Sequence, residues 1–99
     1  MATHGYVYIL ANKPRGTLYI GVTSDLIARV HQHRVGADPA SFTTKYAIHM
    51  LVHFEGPGDI RAAIEREKKL KSYKRAWKLA LITRNNPGWT DLYPGLIAG

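Results

Sequence analysis

Three groups of side chains have the types and spacing to do chemistry. The first is Glu67. Counted in steps of about 100° along a helix, Ile60, Ala63, Ile64, Leu70 and Lys71 fall within an arc of roughly 120°, and Glu67 lies near its middle. A carboxylate there must be ion-paired, bound to a metal or set at the edge of a cleft, because an unpaired buried charge is costly. A buried pair with a nearby Arg or Lys is the plain alternative. Glu65 lies outside the stripe and reads as a surface ion-pair partner. The second group is Arg29 and His33, four residues apart and so neighbours on one helix face. A guanidinium suits a phosphate because its planar fork donates two parallel hydrogen bonds; an arginine that packs its stem on a sheet is the ordinary reading. His33 can orient a tyrosine, contact phosphate or sit as a satisfied core histidine.

The third group is a pair of tyrosine runs, Tyr6-Val7-Tyr8 and Tyr19-Ile20-Gly21. In a strand, successive side chains alternate between faces. Val7, Ile9 and Ala11 then oppose Tyr6, Tyr8 and Leu10, and Leu18, Ile20 and Val22 oppose Tyr19, Gly21 and Thr23. The alternation predicts a hairpin that buries its aliphatic face and offers phenols on the other. The bare Gly21 beside them suits close approach of a ligand backbone. Ordinary aromatic packing in a sheet gives the same pattern. Asn86, before Pro87, has the routine chemistry of a helix exit. His31 and His33 point to different sides of a helix. His49 and His53 lie roughly 13 Å apart along a strand, too far to share one ion.

The elements that must position these residues follow from caps and breakers. Strands are predicted at about 6–11, 17–22 and 48–54, the first two joined by Asn12–Gly16 and the third closed by Gly56-Pro57-Gly58. Helices are predicted at about 25–35, with Ser24 or Asp25 as N-cap and Gly36 as stop, at 60–72 behind Asp59, and at 74–84. Residues 37–44 read as a loop, and the tail from about 87 as irregular, with Trp89, Leu92 and Tyr93 packing back. This is an α+β fold, a small three-stranded antiparallel sheet flanked by helices, in one domain over residues 1–99.

The formal charge is +7, and between Arg61 and Arg84 nine Lys or Arg residues face only Glu65 and Glu67. The rest of the chain is balanced, so this segment points to a polyanion partner, with Lys68, Lys71, Lys74, Arg75 and Lys78 as the candidate nucleic-acid contacts. A merely solvated helix face would carry a smaller excess of base over acid. Few large aromatics accompany the bases, which disfavours a membrane interface. With no cysteine there is no disulfide or thiolate metal site. No apolar run approaches the ~18 residues needed to span a bilayer. A cytoplasmic protein is the expectation.

Taken in order, these motifs resemble the signature of the GIY-YIG nuclease superfamily. The two tyrosine runs are followed by Thr23-Ser24-Asp25-Leu26 with Arg29 and His33, as in the first helix of the family. Phe42-Thr43-Thr44-Lys45-Tyr46, Leu51-Val52, the stretch Ala63–Lys71 and Asn86-Pro87-Gly88-Trp89 with Asp91-Leu92 continue the similarity to about Tyr93. It is nearest to the small single-domain endonuclease subgroup.

The resemblance implies a divalent-metal-dependent endonuclease that hydrolyses DNA phosphodiester bonds, with a role in DNA repair or recombination. It maps the family's metal-binding glutamate, for Mg²⁺ or Mn²⁺, onto Glu67 and its catalytic arginine onto Arg29. Tyr8 matches the tyrosine that activates the attacking water, Tyr19 a positioning residue, His33 a histidine frequent in the subgroup and Asn86 a late asparagine that helps position the site. Where the family often has two adjacent arginines, this chain has Ala28-Arg29. A phenol is a poor base at pH 7 unless positive charge lowers its pKa, and Arg29 and the metal are expected to supply that charge. Specificity would come from a protein partner, a homodimer or the structure of the DNA. The alternative is a non-catalytic nucleic-acid-binding module using the 61–84 segment, which would not need Tyr8, Arg29 and Glu67 together.

Overall fold

The computed structural model describes residues 3–98. The alternating N-terminal runs pair as expected. β1 (His4–Ala11) lies antiparallel to β2 (Leu18–Thr23) on one side and to β3 (Met50–Asp59) on the other, giving the sheet order β2-β1-β3. The register sets Tyr8 opposite Gly21 and Leu10 opposite Tyr19. Asn12 clamps the β1–β2 turn by accepting the Thr17 N–H on Oδ1 at 2.8 Å.

Local chemistry also sets the helix ends. Asp25 caps α1 (Leu26–Val35) by accepting the Ala28 N–H, and Gly36, in the left-handed region at φ 66°, ends it. Asp59 caps α3 (Ile60–Ser72) through Arg61 and Ala62. α4 (Arg75–Asn85) follows.

Two helices appear where loop or irregular chain is expected. α2 (Phe42–Lys45) lies within the 37–44 region; Ser41 caps it by accepting the Thr44 N–H. α5 (Tyr93–Ala98) occupies the tail, after Asp91 Oδ1 accepts the Tyr93 N–H. β3 is also longer than predicted. It runs through Gly56-Pro57-Gly58 to pair Asp59 with His4. Proline is tolerated there because β3 is an edge strand and the ladder shifts register between Gly5 and Val7, across Gly56 and Pro57.

The sheet is covered on both faces. Val7, Ile9, Ala11, Ile20 and Val52 pack against Ala63 and Leu70 of α3, Leu81 and Ile82 of α4, and Trp89. Tyr8, Leu10 and Leu51 pack against Leu26 and Val30 of α1, Ile48, and Tyr93 of α5. The split of side chains between faces is therefore as the alternation predicts, but the tyrosine face is not open. The predicted stripe on α3 is narrower as well: Ile64 is 38% exposed. Among the described residues no helix is long and apolar enough to cross a membrane.

Candidate active site

Tyr8 is fully buried, and its ring fills the space left by its cross-strand partner. A Cβ added to Gly21 would stand 2.5 Å from the Tyr8 hydroxyl and 2.6 Å from Cζ. The glycine therefore admits the phenol, not a ligand backbone. Tyr19, diagonal to Tyr8 across the ladder, holds its ring 6.3 Å away, centroid to centroid. The His33 ring reaches in from α1, 5.9 Å from Tyr8 and 5.3 Å from Tyr19.

Hydrogen bonds make this cluster directional. Tyr8 Oη lies 3.1 Å from His33 Nε2, and His33 Nδ1 lies 2.7 Å from Thr43 Oγ1. Burial pushes the Tyr8 phenol above its ordinary value of 10, Tyr19 adds to that, and Arg29 pulls the other way. Burial outweighs the arginine, so the net direction is opposite to the lowering expected from positive charge. At neutral pH Tyr8 is a protonated phenol. Burial, Arg29 and His49 all push His33 below its ordinary 6.5, so the imidazole is neutral and accepts or donates as its tautomer dictates. Arg29 itself is exposed. With Gln32, His33, Ala37, Asp38 and Ser41 it lines an open cleft of about 250 Å³ over this end of the cluster.

The structure brings Tyr8, Tyr19, Arg29 and His33 together; Glu67 is carried by α3, and Asn86 ends α4. On α3, Arg66 turns toward β3 and holds the Glu55 carboxylate with two bonds, 2.9 Å from Nε and 3.2 Å from Nη2. Glu67 follows about 100° further round the helix, away from that pair. Its side chain is 16% exposed and Oε2 meets Lys71 Nζ at 3.4 Å. Lys71 is itself mostly exposed, so this i,i+4 pair is weak and easily opened. No group of three or more His, Cys, Asp or Glu side chains that could hold a metal occurs among the described residues. A lone half-buried carboxylate fits a hard divalent cation that keeps several waters and takes further oxygens from phosphate.

Asn86 is engaged in the fold. Its amide donates to the carbonyls of Val52 and Thr90 at 3.1 and 2.8 Å, and its oxygen accepts the Thr90 N–H at 3.1 Å. It braces the outer edge of β3, across β1 from β2. These bonds fix the amide between β3 and the chain that follows α4.

The basic segment is partly spent on the protein itself. Arg66 is neutralised by Glu55, and Glu55 also meets Nε2 of buried His53 at 2.9 Å. Arg75 donates to the carbonyls of Arg15 and Gly16, tying α4 to the β1–β2 turn. Lys68, paired loosely with Glu65 at 3.8 Å, and Lys71 and Lys74 remain exposed, while Lys78 is half-buried.

Thr43 and Ser41 are the residues that sequence reasoning missed. Thr43 is buried and partners His33 from ten positions along the chain. The N-cap potential of Ser41 ahead of Phe42 was the available signal.

The family model described as the GIY-YIG catalytic domain matches residues 4–80. The chain belongs to the GIY-YIG family. Its curated relatives carry the same small domain. A UPF0213 protein of Syntrophus aciditrophicus is 36% identical over 80 residues, covering 81% of this chain and 91% of that protein. One from Haloquadratum walsbyi is 38% identical over 81 residues, covering 82% and 89%. One from Staphylococcus aureus is 35% identical over 77 residues, covering 78% and 92%. No solved structure matches the chain. Membership places this GIY-YIG domain in a nuclease family, whose members generally depend on a divalent metal.

Proposed function

We propose that the protein is an endonuclease that hydrolyses DNA phosphodiester bonds with a divalent metal, and that Tyr8 and His33 activate the water. The observation that carries this reading is the bond from buried Tyr8 to the neutral imidazole of His33, beneath an exposed Arg29. A protonated phenol cannot act as a base alone. Tyr8 Oη takes a proton from the attacking water as its own proton passes to His33 Nε2. The water oxygen then bonds phosphorus and the bond to the leaving oxygen breaks. That oxygen is protonated from solvent, and the imidazolium later releases its proton to reset the pair. Arg29 clamps the non-bridging oxygens, where charge develops. Tyr19 packs against both His33 and Tyr8 and holds their orientation.

Glu67 would hold one Mg²⁺ or Mn²⁺, which when bound stabilises charge on the scissile phosphate. The exposed Lys68, Lys71 and Lys74 supply salt-dependent affinity.

The test is cleavage of a panel of labelled DNA structures with Mg²⁺ or Mn²⁺, comparing wild type with Glu67→Ala and Arg29→Ala. Loss of cleavage in both variants is the expected result. Equal cleavage by all three sinks the catalytic assignment. Steeply salt-dependent binding with no cleavage by any of them replaces it with a binding module.

A further inference from the structure

The Tyr8–His33 bond ends a chain of hydroxyls whose direction can be worked out donor by donor. Ser41 Oγ accepts the Thr44 N–H at 3.2 Å, as the cap of α2, and spends its own proton on Thr44 Oγ1 at 3.0 Å. Toward Thr43 it can therefore only accept. Thr43 Oγ1, 3.2 Å away, donates to it. With its one proton spent, Thr43 Oγ1 is left to accept at 2.7 Å from His33 Nδ1. The proton of the neutral ring then sits on Nδ1. Nε2 carries a bare lone pair, and at 3.1 Å it accepts from Tyr8 Oη.

We propose that Thr43 is a positioning residue that locks His33 in its Nδ1–H tautomer, through Ser41 and the cap of α2, so that Nε2 faces Tyr8 as a proton acceptor. Thr43 suits the task. It is 1% exposed, so its hydroxyl is left to protein partners, and its backbone oxygen is anchored independently by the Ile48 N–H at 2.8 Å. The opposite tautomer would point an N–H at the phenol and leave Nδ1 facing a hydroxyl whose proton is already committed. Its consequence for rate rests on the nuclease reading above, whereas the tautomer itself does not.

The direct test is long-range ¹H–¹⁵N NMR of His33 in mildly alkaline buffer, where the ring is neutral. Wild type is expected to show a protonated Nδ1 and a bare Nε2. Thr43→Val keeps the volume but cannot accept, and should move the proton wholly or partly to Nε2. Thr43→Ser should restore the wild-type signals. In cleavage assays Thr43→Val should lower kcat about 10²-fold with KM little changed, and Thr43→Ser should recover most of it. A wild-type ring protonated on Nε2, or signals that Thr43→Val does not move, would overturn the proposal. Because the wild-type spectrum needs no variant, failure of Thr43→Val to fold does not blunt the test. A tautomer that shifts while cleavage does not would leave Thr43 in place and defeat the water-activation role of His33.

Discussion

Gly21→Ala is the smallest change that probes the site, and the structure sets its size. The new Cβ would stand 2.5 Å from Tyr8 Oη, 2.6 Å from Cζ and 2.9 Å from Cε1. Unstrained carbon contacts need roughly 3.5 Å, so the phenol must retreat by about 1 Å. It has little room, since Tyr8 is fully buried and its hydroxyl is held 3.1 Å from His33. Two effects oppose each other. Alanine in a strand interior gains about 0.5–1 kcal/mol over glycine, while overpacking costs about 1–3 kcal/mol. With so little room for the ring the clash lies toward the upper end of its range and wins, by up to about 2.5 kcal/mol, and the melting temperature should fall by several degrees, at most roughly 20 °C for a chain of this size. The effect on rate should be larger, about 10²-fold, because an error near 1 Å in a reacting group is enough for that. Gly58→Ala is the control, since an added Cβ there meets nothing within 4 Å. Thermal melting and single-turnover cleavage, run on both variants, check these expectations. If Gly21→Ala melts and cleaves like wild type, the reasoning that Tyr8 is held in place against Gly21 is wrong.

Acidity gives a second check. His33 is pushed below 6.5 and must be neutral to accept from Tyr8. The acid limb of kcat/KM should therefore lie below 6.5 and vanish in His33→Gln; a limb at or above 6.5 contradicts the assignment. Stability follows the same sign, because the unfolded chain binds a proton at His33 that the folded chain resists, so stability falls as pH drops from 6.5 through the folded value. A third concerns the C-terminal tie. Asp91 Oδ2 accepts from Arg34 at 2.6 Å, and Oδ1 accepts the N–H groups of Leu51 and Tyr93, each at 3.1 Å. Asp91→Ala strands two backbone donors and should cost about 1–3 kcal/mol, seen as a lower urea midpoint at unchanged slope; an unchanged midpoint would show that α5 is not held by Asp91.

Some of this was present in short-range pattern. The alternation in Tyr6–Ala11 and Leu18–Thr23 set which residues share a face, because strand geometry alone enforces a period of two. Asp25, Gly36 and Asp59 marked helix ends, since a cap acts within one turn. The excess of bases over acids between Arg61 and Arg84 needed only counting, and the ordered motifs were sufficient to indicate the family. Tertiary structure decided the chemistry. Whether the tyrosine face met solvent depended on α1, α2 and α5, the last of them more than eighty residues beyond Tyr8. The direction of the Tyr8 and His33 pKa shifts depended on that burial, which outweighed the Arg29 charge at the phenol. The partners of Asn86, Val52 and Thr90, were set only when β3 and the segment after α4 came together. The apolar arc on α3 placed Glu67 at its centre, and only the packed layers decided that its side chain is 16% exposed with Lys71 3.4 Å away, while Arg66 is held by Glu55 of β3. Thr43 acquired a partner only when α2 packed beside α1. Periodicity, caps and charge are local properties that any stretch of chain carries with it; burial, a proton's address and the meeting of distant side chains exist only once the layers close.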